Sequence, residues 1–279
     1  MYKTNILNLV LFIIVISLAS VIYFSEQPNL LLTTLTDSNI NDITSIKIQH
    51  NKNSTSIEKR QQAIQGSQWY ITKPVAVAAN DFRINSILKL INAPVHSKYS
   101  AQEINTSDAG LDNPLTSIQL NNHTIEFGIT NPATNLRYIK LDQAVYTIED
   151  VYSPLLSSHF SALVSLKLVA TDRKIEKLIL ANQTIAKNTK GLWQSNSKIS
   201  ADNINKTLDH WKNDQAFAVH EYMQREEQLG EVFVFIEGQQ QPITYVITDT
   251  DPWLIIARPE IGLEYHLDIE AYDKLIAPQ

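Results

Sequence analysis

An order of motifs that is played twice constrains this chain more than any other feature, because repeated units bury equivalent faces. In the first half, Ile43-Thr44-Ser45-Ile46-Lys47-Ile48 alternates apolar and polar residues as a half-buried strand does. Ile57 continues a second short strand, and Gly66-Ser67-Gln68-Trp69-Tyr70-Ile71 a third that ends at Lys73-Pro74. Asn80-Asp81 resembles a helix cap, and Ile84, Ile87, Leu88 and Ile91 follow at helical spacing. The second half replays the order with Ile175 to Leu180, Ile185, Gly191-Leu192-Trp193, a cap at Asp202, and a helix carrying Ile204, Leu208 and Trp211. Trp193 follows Trp69 by 124 residues, and Ile204 follows Ile84 by 120.

Each helix leads into a meander of alternating segments. The first copy offers Ser117 to Leu120, Thr124 to Ile129, Arg137 to Leu141 and Ala144 to Ile148; the second offers Val232 to Ile236, Ile243 to Ile247, Leu254 to Ala257 and Leu263 to Leu267. Short helical stretches close the copies at Val151 to Leu156 and Ala271 to Ile276. The predicted fold class is α+β: two tandem repeats, 43–160 and 161–279, each a mainly antiparallel sheet with one principal helix.

Ahead of them, Ile6 to Phe24 is a run of 19 residues in which only Asn8, Ser17 and Ser20 are polar and none is charged. A helix of that length covers roughly the 30 Å hydrocarbon core of a bilayer. Ser17-Leu18-Ala19 offers small residues for a signal peptidase, but the run continues through Val21 to Phe24, beyond a typical secretory h-region. The expectation is therefore an uncleaved transmembrane signal anchor over 1–24, followed by a linker over 25–42. Lys3 before the run and Glu26 after it place the N-terminus in the cytoplasm and the body outside, in the periplasm of a bacterial inner-membrane, single-pass protein.

Several motifs together resemble the DUF4340 family. They are the N-terminal anchor, the I-x-x-I-x-I strand, Trp69-x-Ile71 with Pro74, and the capped Asp81-Phe82-Arg83-Ile84 helix. The Gly110-Leu111-Asp112-Asn113-Pro114 turn, the Ile125-Glu126-Phe127-Gly128 strand and Val145-Tyr146 complete the likeness, which is close from Ile43 to Leu156 and looser in the second copy. There Gly-Leu-x-x-Pro is missing, and Ala257-Arg258-Pro259-Glu260 has no counterpart in the first. The resemblance implies a bacterial envelope protein without an assigned activity. Some relatives look like accessory components of ABC-type export or gliding-motility systems, which implies an envelope protein partner of that class, an ABC-type transporter component.

Motifs for chemistry are scarce. Zero cysteines exclude disulfides, thiolate zinc sites and a lipobox anchor. Neither Gly-x-Gly-x-x-Gly, a P-loop nor a Gly-x-Ser-x-Gly elbow occurs. His220-Glu221 opens like the zinc-peptidase HExxH, but Gln224 stands where the second histidine belongs. His210 with Asp214 reads as a polar helix end, and Thr248-Asp249-Thr250-Asp251-Pro252 as a turn. Trp69 and Trp193 read as matched core positions rather than a ligand-stacking surface. No catalytic residue, cofactor or metal is expected.

The candidate interaction surface is the polar-aromatic cluster Arg258, Glu260, Tyr265 and His266, with Arg137 and Tyr138 as its first-copy counterpart, since Arg and Tyr supply contact area and hydrogen bonds. Residues 1–220 carry 20 Lys+Arg and 17 Asp+Glu, net +3, whereas 221–279 carry 3 and 12, net −9. That acidic last fifth repels phosphates, so no nucleic-acid partner is expected. The functional expectation is a non-enzymatic, membrane-anchored interaction or assembly module. The alternative is a periplasmic glycan or small-ligand binding protein using a cleft between the repeats.

Overall fold

The computed structural model describes residues 10–20, 33–62, 66–100 and 102–279. Residues 10–20 form helix α1, with apolar side chains from Val10 to Leu18 exposed. The expected transmembrane helix over 6–24 is not found: among the described residues no helix is long and apolar enough to cross a membrane. The flanks of that run, 6–9 and 21–24, and residues 25–32 of the expected linker lie outside the described residues. Residues 34–38 are not free chain. Leu35 N–H and Thr36 N–H donate to Ala93 O and Ile91 O, and Leu35 is buried.

Met1–Thr33 and Thr34–Gln279 form separate units. Within the second unit the chain builds two antiparallel sheets. The first contains β1 (Ser45–His50), β2 (Asn53–Gln62), β3 (Gly66–Lys73), β4 (Val77–Ala78), β5 (Ser97–Ser100), β6 (Thr116–Leu120), β7 (His123–Thr130), β8 (Leu136–Leu141) and β9 (Ala144–Glu149), in spatial order β4-β3-β2-β1-β6-β7-β8-β9-β5. The second contains β10 (Ile175–Ile179), β11 (Thr184–Lys187), β12 (Trp193–Ser195), β13 (Ala218–Glu221), β14 (Gly230–Ile236), β15 (Ile243–Asp249), β16 (Trp253–Arg258) and β17 (Leu263–Asp268), in order β12-β11-β10-β14-β15-β16-β17-β13. Strand for strand the two orders coincide, apart from the extra edge strand β4. Lys59 pairs across the ladder with Trp69, and Lys187 with Trp193. Each ammonium lies over its indole, 5.8 and 5.2 Å from the ring centroid.

Helix α2 (Asp81–Leu88) follows the first three-stranded meander and α4 (Ala201–Asn213) the second, with the short α3 (Ser153–Leu156) between. Asn80 caps α2 by accepting from Arg83 N–H at 3.2 Å. The second cap is Ser200, which accepts from Asn203 N–H at 3.1 Å, and not the expected Asp202. Asp202 lies in the first turn, where its charge favours the helix dipole.

Alternate residues of the central strands, such as Ile46, Ile118, Ile139, Leu178, Val234 and Ile256, meet the helices in one apolar core that runs through both sheets. The seam is the connector 163–168. Asn80 N–H donates to Leu163 O and Ser165 N–H to Ala78 O, while Ala216 N–H reaches Leu166 O ahead of β13. Val164 and Leu168 are buried in the common core.

Gly128 marks a close approach. It sits where the β7–β8 register shifts, and a Cβ there would lie 2.1 Å from Ala109 O. Gly128→Ala must push away the backbone that receives the Ile129 N–H bond. Destabilisation of about 2 kcal/mol is expected, seen as a fall in Tm of about 6 °C by circular dichroism.

Candidate functional site

The outer faces of the two sheets, turned away from the helices, are finished differently. On the first, Tyr99 lies opposite Val145 on the β5–β9 ladder. The loop after β5 lays Ala109 and Leu111 on Val145, with Tyr99, Ile104 and Tyr138 packed around them. Tyr138 therefore belongs to a closed apolar cover, and its hydroxyl accepts from Asn131 Nδ2 at 2.8 Å.

On the second sheet, the matching β13–β17 pair is His220 opposite Glu264. A carboxylate stands where the first sheet has a valine. Glu264 is 1% exposed, and a buried charge must be paired. The shorter segment 222–229 supplies the partners as it crosses this face, bonded at its ends by Tyr222 N–H to Gly262 O and Leu229 N–H to Ile247 O. Glu264 accepts from Arg225 Nη1 at 2.9 Å and from Met223 N–H at 3.2 Å, with His266 Nε2 at 2.9 Å on its other oxygen. The carboxylate can only accept, so His266 donates through Nε2. Arg225 also donates to Thr248 Oγ1 and Met223 O, each at 3.2 Å. Burial opposes ionisation of Glu264, but the bonds from Arg225, His266 and Met223 outweigh it and hold the carboxyl below its ordinary range.

Beside this network lies an uncovered aromatic group. Phe217 meets Trp253 edge-on with ring centroids 5.1 Å apart, and also approaches His266 at 6.2 Å. His220 stacks edge-on to His266 at 4.8 Å. Phe217, Trp253 and Met223 remain 50%, 44% and 65% exposed. Glu226 and Glu227 on the crossing segment, Asp251 just before Trp253 and Asp268 opposite Trp253 on the ladder are exposed, and the nearby Arg225 is already paired with Glu264. The result is an apolar, aromatic centre with an acidic rim.

The six residues expected to form one surface are distributed over four places, Tyr138 lying in the cover of the first sheet. His266 lies on the face just described. Tyr265, its neighbour on β17, points to the opposite side with Arg258 and is 1% exposed. Arg258 donates to Glu260 Oε1 at 2.8 Å and lies 5.9 Å from the centroid of Tyr245. Burial works against the Arg258 cation, yet Tyr245, Tyr265 and Glu260 hold its pKa above the ordinary value. Both phenols are pushed up, chiefly by burial.

Arg137 is in the first sheet, donating to Asp150 Oδ2 at 2.7 Å and Gly128 O at 2.6 Å. Burial disfavours the Asp150 charge, but Ser153 and Arg137 bonds more than offset it and depress its pKa. Asp150 also accepts from Ser153 N–H at 3.0 Å. Arg137 thus braces the β7 irregularity against the start of α3.

Arg258 and Tyr265 line a cavity of about 140 Å3 against the connector. That is below the roughly 300 Å3 at which small-molecule pockets begin. Trp69 is buried and does not line it. His220-Glu221 sits on a strand rather than a helix, and His210 Nδ1 bonds Asp214 Oδ2 at 2.9 Å within the end of α4. Asp249 Oδ1 accepts from Thr250 and Asp251 N–H groups, a turn arrangement. Among the described residues no three His, Asp or Glu side chains gather as a metal-binding group.

Sequence reasoning missed Phe217, Arg225, Trp253 and Glu264. The available signal was the strand period, which sends Glu264 and His266 to one side and Tyr265 to the other. No curated protein and no solved structure matches the chain. The match to a domain of unknown function, DUF4340, extends from Trp69 in β3 to Glu227 beyond β13, residues 69–227 and more than half of the chain, which therefore belongs to that family.

Proposed function

We propose that this protein is a non-enzymatic, membrane-anchored envelope protein whose body docks a protein partner through the outer face of its second sheet. The single observation that carries the reading is the half-exposed Phe217–Trp253 pair packed edge-on to His266. Large aromatic side chains exposed at the centre of a polar rim have the composition of a protein interface. The acidic rim selects a partner with basic residues around an apolar centre and disfavours an anionic lipid surface. The coinciding strand orders support reading the body as a duplicated unit in which one copy has lost its cover. The apolar run 6–24 supports a single-pass inner-membrane anchor with the body in the periplasm. The partner class is a component of an ABC-type export or motility assembly.

The test is in-cell crosslinking and pull-down of the full chain, beside a Phe217→Ser/Trp253→Ser variant and a chain lacking residues 1–24. Both substituted side chains are about half exposed, so the fold is expected to survive, checked by circular dichroism. A partner held by the full chain and weakened at least about 100-fold by the double substitution is the expected result, since two central aromatic anchors are worth about 1–2 kcal/mol or more each. A partner retained equally by both chains removes this face from the assignment.

A further inference from the structure

A second feature lies away from that face. The turn between β1 and β2 and the residues following α3 enclose a cavity of about 350 Å3. This is within the range of small-molecule sites, about 300–1,000 Å3. Its walls divide by chemistry. Ile48, Pro74, Leu156 and Phe160 supply an apolar side, whereas His50, Lys52 and His159 supply cation-forming groups, with serine, threonine and asparagine between them. No carboxylate lines it.

The donors are free to act on a ligand. His50 Nδ1 is bonded to Thr116 Oγ1 at 2.7 Å, which leaves Nε2. Ser161 N–H donates to His159 Nδ1 at 3.3 Å, so that nitrogen accepts and the neutral ring carries its proton on Nε2. Lys52 is exposed at the hairpin turn and makes no ion pair among the described residues. Glu221 lies outside the lining, with Oε2 4.0 Å from His159 Nε2. An ammonium, the His159 Nε2–H donor and the unbonded His50 Nε2 facing an apolar wall, with no lining carboxylate, complement a negative head on a carbon body.

We propose that this cavity binds a small oxyanion-bearing molecule, a carboxylate or a phosphoryl ester. Lys52, His50 and His159 hold the oxyanion, and Phe160 with Leu156 covers the ring or short apolar portion. Glu221 competes for His159 and sets an upper limit on affinity.

The test is isothermal titration of the full chain in non-ionic detergent with phenyl phosphate, with benzoate, and with neutral phenyl glucoside. The expected result is millimolar or tighter binding of an anion and none of the glucoside. The tighter of phenyl phosphate and benzoate then identifies the head group. Lys52→Ala and His50→Ala are each expected to weaken binding roughly 10-fold, the scale of one charge-assisted hydrogen bond. Glu221→Gln is expected to tighten it about 3-fold, by freeing His159. Lys52 is exposed on a turn, so its loss leaves the fold intact for the comparison. Absence of millimolar binding by both anions overturns the proposal. So does glucoside binding as tight as theirs, or anion binding that Lys52→Ala leaves unchanged.

Discussion

Trp211→Ala is expected to destabilise the body by about 4 kcal/mol and to lower Tm by about 12 °C. Trp211 lies in α4 and is fully buried. Its indole Nε1 donates to Leu275 O at 2.9 Å, and its ring stands 5.5 Å from that of Tyr245. Tyr245 in turn donates its hydroxyl to Leu168 O in the connector. One side chain therefore ties α4 to the π-helical turn Tyr272–Ile276 and, through Tyr245, to the seam between the sheets. Truncation leaves a large void, strips Leu275 O of its donor, and removes the ring contact. Trp211→Phe retains most of the volume and loses the N–H, so about 2 kcal/mol is expected for it. Urea unfolding of the three chains measures both values. If Trp211→Ala stays within about 1 kcal/mol of the parent, α4 is not fastened to the core in the manner described.

Where the signal was periodic, it was legible. Ile204, Leu208 and Trp211 show helical spacing, and α4 presents them to the core. The meanders were readable because each long strand buries alternate residues, as Ile46 and Ile48 do in β1. β5 and β13 were not, since Ser97-Lys98-Tyr99-Ser100 and Ala218-Val219-His220-Glu221 are short edge segments held by one neighbour each. The expected Arg–Tyr surface failed for a related reason. Tyr265 and His266 are adjacent in sequence, and strand geometry turns them to opposite faces. Arg258 fell on the inner side with Tyr265, where Tyr245 and Glu260 already occupy it.

The aromatic group and its buried carboxylate lacked any local signature. Phe217 precedes β13 and Trp253 opens β16, and β17 lies between those strands in the sheet, so only the finished topology brings the rings together. Arg225 and Glu264 are likewise distant in sequence and joined by a segment that crosses the sheet. A glutamate among apolar neighbours in Leu263-Glu264-Tyr265 reads as a solvent-facing position of a half-buried strand. It becomes buried because residues 222–229 bring their own cation to cover it.

Glu264→Ala is expected to cost about 3 kcal/mol at neutral pH, a fall in Tm of about 9 °C, because it leaves Arg225 facing the sheet without its carboxylate. The pH dependence distinguishes this from loss of packing. The carboxyl is held below its ordinary value in the folded state, while in the unfolded chain it titrates near 4.3. Its contribution is therefore fully present above the unfolded value and is lost as pH falls through the folded one. The gap between parent and Glu264→Ala should be constant from about pH 7 to 5 and close progressively below about pH 4. Thermal melts of both chains over that range measure it. Glu264→Gln keeps the shape, so it is expected to lie between them and to lack the acid-dependent part. A gap undiminished at low pH would assign the effect to packing alone. The same experiment bears on the docking face, since Phe217 packs on His266 and His266 is oriented by Glu264. Loss of the carboxylate should loosen the aromatic centre as well as residues 222–229, so Glu264→Ala is expected to weaken partner capture even at temperatures where the body remains folded.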